Sequence, residues 1–128
     1  MQNVRFNGII STEEVPATIK NLDDTPDEQE LEQRRFVDSF NLGVDCRQRG
    51  DKQQAIKAWT EAISINPQNA PTYYYRGVTR IEVEDYIGAI LDLNQAIAIN
   101  LNYFTAYRQV AKAYYKLGQI LHLNKNDA

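Results

Sequence analysis

Apolar residues recur with helical spacing in five stretches of this chain, and polar or helix-breaking residues separate the stretches. Phe36, Phe40, Leu42, Val44 and Cys46 fall on a partly apolar helical surface that ends near Arg49-Gly50-Asp51, a breaker followed by an N-cap residue. Ala55, Ile56, Trp59, Ala62 and Ile63 then predict a helix from Lys52 to Ile65. Asn66-Pro67 stops it, because proline disfavours helix in the residue before it. The same plan predicts helices from Tyr73 to Val83 and from Tyr86 to Ile99, and a fifth beginning at about Tyr103. Leu117-Gly118 is expected to repeat the turn of Arg49-Gly50. Upstream, Thr25-Pro26-Asp27-Glu28 reads as a capping box with proline at the first helical position, so the first helix is expected to run from there to about Gln48. Residues 1–24 show no sustained helical period, although Val4, Phe6, Ile9, Ile10, Val15, Ile19 and Leu22 make them too apolar for a plain spacer.

Residues 36–69 laid over 70–103 share nine identities, among them Gly43/Gly77, Asp51/Asp85, Ala55/Ala89, Ala62/Ala96 and Asn66/Asn100. Unrelated segments of that length share about two, so the chain contains an internal repeat. A glycine inside a helix costs about 1 kcal/mol relative to alanine. Gly43 and Gly77 nevertheless occupy one register of successive first helices, followed by Ala111 in the third. That cost is offset where a neighbouring helix packs against the missing side chain, and Trp59 and Leu93 on the second helices are the bulky candidates.

At this point the sequence resembles the tetratricopeptide repeat (TPR), a helix-turn-helix with the pattern W-x2-L-G-x2-Y, then A-x3-F, then P. The first unit supplies Ser39-x2-Leu42-Gly43-x2-Cys46, then Ala55-x3-Trp59, then Pro67. The second supplies Tyr73-x2-Arg76-Gly77-x2-Arg80 and Ala89-x3-Leu93, with Leu101 where proline is usual and so a junction expected to be less sharply defined. The third supplies Tyr107-x2-Val110-Ala111-x2-Tyr114 and then departs. The dialect of Asp85 to Ile97 is similar to TPR proteins of cyanobacteria and other bacteria. The resemblance implies an all-α fold, an α-solenoid of antiparallel helix pairs with about two and a half repeats. Its units would span about 36–69, 70–103 and a truncated 104–124, within a TPR domain of 25–124 that follows an irregular leader, 1–24. Arg76 and Arg80 depart from the pattern, and two readings stand: solvated heads on buried stems, or pairing with Glu82, Glu84 or Asp85.

The resemblance further implies a groove lined by first helices that holds a peptide or helix of another protein, making the chain a scaffold or assembly adaptor. Carried onto this sequence, the groove comprises Val37, Phe40, Val44 and Arg47, then Tyr74, Tyr75, Val78 and Ile81, then Arg108, Gln109, Lys112, Tyr115 and Lys116. It is apolar and rich in tyrosine, a common interface residue, and Arg108, Lys112 and Lys116 form a cationic stripe suited to an acidic segment. A carboxylate clamp for chaperone tails is excluded, since Phe40 and Val44 occupy its first-helix positions. The inner face of Tyr103 to Leu117 is expected to stay partly uncovered, a seat for a homodimer or a docked partner.

Charge divides unevenly. Residues 1–33 carry eight acids against two basic residues, whereas the rest carries 12 Lys/Arg and nine Asp/Glu. The acidic, apolar leader is complementary in kind to the groove, so residues 1–24 either occupy it, in their own or a neighbouring chain, or form a disordered acidic tail. Single-stranded RNA binding is the alternative from another class, through tyrosine stacking and the basic stripe, but a sequence pI near 5.1 argues against nucleic acid. The lone Cys46 and lone His122 offer no disulfide, metal site or catalytic dyad, and no phosphate-binding glycine loop is present. No cofactor, no metal and no enzymatic activity are therefore expected, and with neither an apolar span nor a secretion signal the reading is cytoplasmic.

Overall fold

A computed structural model describes residues 25–127 as five helices: α1 (Glu28–Gln48), α2 (Lys52–Ile65), α3 (Ala70–Glu82), α4 (Tyr86–Ile99) and α5 (Phe104–Asp127). Contacts divide the chain at Leu31/Glu32, and all the packing below lies in the part that begins with Glu32. The leader residues 1–24, and with them the occupancy of the groove by the leader, lie outside the described residues.

The caps set the helix starts. Asp27, not Thr25, caps α1: the Glu30 N–H donates to Asp27 Oδ1 at 2.8 Å, and the Asp27 N–H donates to Glu30 Oε1 at 3.1 Å. Both frames fit a capping box, and the structure uses the one in which proline precedes the cap. Asp51 and Asp85 cap α2 and α4 by accepting from the Gln54 and Gly88 N–H groups. Asn69 accepts from the Thr72 N–H, so α3 begins at Ala70, three residues before the predicted Tyr73.

The two turns within the helix pairs are built alike. Gly50 N–H donates to Arg47 O and Asp51 N–H to Cys46 O; Glu84 N–H donates to Ile81 O and Asp85 N–H to Arg80 O. This is the paired bonding of a Schellman cap, which needs one residue in the left-handed region. Gly50 supplies it at φ 86° and Glu84 at φ 68°. Between pairs, Asn66 and Asn100 end their helices with nearly equal dihedrals and accept from the N–H two residues on, of Gln68 and Asn102. Leu101 therefore leaves the second junction as well defined as the first, because asparagine rather than proline makes the turn.

The small residues seat the large ones. A Cβ added to Gly43 would lie 2.3 Å from Trp59 Nε1, and one added to Gly77 would lie 2.8 Å from Leu93 Cγ. Trp59 and Leu93 are accordingly fully buried. Two core clusters result. Cys46, Ala55 and Trp59 form one, with Phe40 and Val44 against it. Ile81, Ala89, Ile90, Leu93, Ala106 and Ala113 form the other, joined by Tyr74, Val78, Tyr103, Val110 and Leu117.

The last helix differs from expectation. There is no turn at Leu117-Gly118; α5 runs unbroken for 24 residues. Gly118 stands at the register of Gly50 and Glu84, but the next residue is Gln119 where the complete units have the capping Asp51 and Asp85. Without a side chain to hold the following N–H groups, continuing the α5 hydrogen bonds satisfies more backbone than starting a new helix.

Candidate functional site

Residues from α1, α2 and α3 enclose an open cleft of about 340 Å³, lined by Val44, Arg47, Gln48, Lys52, Trp59, Tyr75 and Glu82. Its floor is aromatic. Tyr75 stacks on Trp59 with centroids 5.9 Å apart and rings inclined by 22°, and meets Phe40 edge-on at 5.8 Å. The indole is pinned, since Trp59 Nε1–H donates to Phe40 O at 3.1 Å. On the rim Arg47 grips Glu82 through both carboxylate oxygens, at 2.6 and 3.3 Å, a fork that ties α1 to α3. A cleft with a large aromatic floor and charged groups at its edge is suited to an apolar side chain whose neighbours carry charge.

Of the thirteen groove positions expected from the sequence, Val44, Arg47 and Tyr75 come together in this cleft, with Phe40 packed behind it. Val37 is exposed on α1. Tyr74 and Val78 are half-buried against the second core, where Tyr74 stacks on Tyr103 at 4.9 Å. Ile81, at 6% exposure, belongs to that core rather than to a binding surface. It follows the bulky core of its pair, whereas Arg47 at the same register reaches outward to Glu82. On α5, Arg108, Lys112, Tyr115 and Lys116 are exposed and Gln109 is half-buried. Lys116 lines a separate hollow of about 420 Å³ with Glu84, Tyr86, Gln119, Ile120, His122 and Leu123. Sequence reasoning missed Gln48, Lys52, Trp59 and Glu82 as cleft residues. A signal existed for one pair: Arg47 and Glu82 lie 35 residues apart, one more than the repeat, which puts them at adjacent positions of successive first helices.

Arg76 and Arg80 are paired rather than solvated, but chiefly with a residue that the sequence alone did not suggest. Their main partner is Asp92, whose side chain is only 5% exposed. Arg76 Nε and Nη2 donate to its two oxygens at 2.8 and 2.7 Å, and Arg80 Nη1 donates to Oδ2 at 2.8 Å. Arg76 Nη1 also reaches Thr60 Oγ1 on α2 at 2.9 Å. Arg80 lies 3.6 Å from Asp85, a weaker form of the pairing that had been foreseen. Nearby, burial and then the adjacent Tyr75 and Tyr74 push the Tyr103 hydroxyl from 10.0 up to about 12. Among the described residues no group of three or more His, Cys, Asp or Glu is placed to hold a metal ion, and no helix is long and apolar enough to cross a membrane.

Residues 43–82 match the family model for the TPR repeat. The chain is 35% identical over 69 residues to the small glutamine-rich tetratricopeptide repeat-containing protein 2 of Saccharomyces cerevisiae, covering 54% of this chain and 20% of that protein. It is 32% identical over 85 residues to tetratricopeptide repeat protein 36 of Danio rerio, covering 66% of this chain and 44% of that one. It thus spans less than half the length of either relative. Among solved structures, the TPR2B domain of yeast Sti1 in its complex with pHsp70 superposes with a TM-score of 0.64 at 27% identity, over 67% of this chain and 69% of that one. The repeat match, the small-on-large pairing of Gly43 with Trp59 and Gly77 with Leu93, and this superposition agree on the fold: residues 43–82 match a TPR repeat, and the described helices form an all-α solenoid of the TPR type.

Proposed function

We propose that the chain is a protein-interaction module, a scaffold or adaptor that holds a segment of another protein against α1, α3 and α5. The observation that carries this reading is the cleft floored by Tyr75, stacked over the buried Trp59, with Arg47, Lys52 and Glu82 on its rim. An apolar or aromatic side chain entering it covers Val44 and Tyr75, and the exposed Arg108, Lys112 and Lys116 on α5 favour acidic residues elsewhere on the same segment. The yeast Sti1 domain was solved with pHsp70, which supports a protein ligand. Phe40 and Val44, packed on the Trp59 core, leave no cationic or amide group at the first-helix positions of a chaperone-tail clamp, so the ligand is read as side-chain-anchored rather than held by its terminal carboxylate.

The test is a selection from a displayed peptide library against the folded chain. Enriched segments are expected to combine an aromatic or large aliphatic residue with nearby acids, and to lose binding to the triple variant Arg108→Glu, Lys112→Glu, Lys116→Glu. No enrichment, together with binding of mixed single-stranded RNA that weakens steeply with salt, would replace this reading with nucleic-acid binding.

A further inference from the structure

The register of the repeat identifies a surface that the complete pairs bury and α5 leaves open. Gly43 and Gly77 are each covered by the residue sixteen positions on, Trp59 and Leu93. Ala111 holds the same register on α5 but is exposed, and sixteen positions on stands Asp127, itself within α5. This helix therefore does not place a large apolar residue on its own small one. The result is a seam at heptad spacing, Phe104, Tyr107, Ala111, Tyr114, Gly118 and Leu121, exposed along its length, with Phe104 at 74% and Tyr114 at 54%. Large and small residues alternate along it.

We propose that this seam is the contact surface for a second copy of the chain, with the two α5 helices packed antiparallel. In an antiparallel pair the first core position of each heptad faces the second core position of the other helix. That rule sets Ala111 against Tyr114 of the second copy, Gly118 against its Tyr107, and Phe104 against its Leu121. Every layer then matches a small residue with a large one or two large ones at the ends, as Gly43 matches Trp59 within the first pair. The flanks agree. Arg108 comes beside Tyr115 of the second copy, a cation-π pairing rather than a like-charge clash. Val110 and Leu117, half-buried on the other side, come beside each other's counterparts. Lys112 and Lys116 lie beyond Arg108 from the seam and stay in water. Half-covering three aromatics and a leucine on each copy buries on the order of 1,000 Å² in all, the low end for a specific interface, so the dimer exchanges with monomer at micromolar concentrations.

The pairing is tested by sedimentation of the full chain from micromolar to hundreds of micromolar. The wild type is expected to pass from monomer to dimer. Tyr114→Glu is expected to weaken association by at least about tenfold. Ala111→Tyr and Tyr114→Ala are each expected to weaken it as well, the first by setting two tyrosines face to face and the second by leaving a gap. The double variant that exchanges them is expected to restore it, because small again meets large. All these positions are exposed, and circular dichroism melts of each variant separate loss of association from loss of fold. A wild type that stays monomeric overturns the proposal, as does a dimer indifferent to Tyr114→Glu. A double variant no better than its parents overturns the register.

Discussion

The first two helix pairs share a backbone plan and fill it with different chemistry. Where the first has Leu42, Cys46 and Ala58, the second has Arg76, Arg80 and Asp92, each 34 residues on. In the first pair Trp59 fills the space behind Gly43, and its N–H donates to Phe40 O. In the second the smaller Leu93 sits behind Gly77, and the two guanidinium groups converge on one nearly buried carboxylate, Arg76 also reaching Thr60 of α2. The repeat thus conserves the positions that let helices approach and is free to change what occupies the volume around them. The change has a direction: Cys46 and Ala58 are buried and need nothing further, whereas Asp92 requires both arginines and they require it.

The largest effect should come from breaking that dependence. Asp92→Ala leaves two partly buried guanidinium groups without their main partner, and is expected to destabilise the fold by about 3–5 kcal/mol in urea denaturation. The triple variant Arg76→Leu, Arg80→Cys, Asp92→Ala, which gives the second pair the residues of the first, should recover most of that loss; if it is as unstable as the single variant, the two fillings are not interchangeable. Next in size are the glycines. Gly43→Ala drives a methyl group into the rigid indole, so overpacking of about 1–3 kcal/mol outweighs the gain in helix propensity. Gly77→Ala meets Leu93 Cγ at 2.8 Å, a looser approach than the 2.3 Å to the indole at Gly43, and thermal melts should show the smaller loss there.

A finer contrast lies in the turns. Glu84 adopts the left-handed conformation that Gly50 adopts in the first pair. Glu84→Gly is therefore expected to raise the melting temperature, recovering about 1 kcal/mol of backbone strain, while the reverse change at Gly50 lowers it. The smallest effect is electrostatic. Tyr103, at the register of Asn69, titrates at about 12 rather than 10.0. The folded state holds this proton more tightly than the unfolded chain, so its contribution is fully present below about pH 10 and is lost as pH rises through about 12. Denaturation midpoints measured across that window should fall less steeply in Tyr103→Phe.

What the sequence made legible follows from how local each signal is. The bounds of α2 and α4 are read directly, because Asp51 and Asp85 cap the starts and Asn66 and Asn100 turn the ends within a few residues. The seating of Trp59 and Leu93 behind the glycines follows from the repeat register alone. Asp92 was not legible, because its partners lie on the preceding helix, 16 and 12 residues back, and at its register the first pair has an alanine. The straight course of α5 was hidden for a similar reason: Gly118 imitates the turn, and only the missing acid at Gln119 shows that nothing holds a new helix start. Within the candidate site, Val44, Arg47 and Tyr75 could be placed from the first-helix pattern, whereas Lys52 and Trp59 enter from α2, a helix that the pattern assigns to the other face.

The central claim, that the cleft between α1, α2 and α3 is where a partner binds, is tested most directly by the emission of Trp59, the only tryptophan of the chain. Titrating a library-selected peptide into the wild type should shift that emission saturably, and Tyr75→Ala should weaken binding by about tenfold or more, as for a central interface aromatic. A peptide that binds with no change in Trp59 emission and with equal affinity for Tyr75→Ala would place the binding surface elsewhere on the molecule.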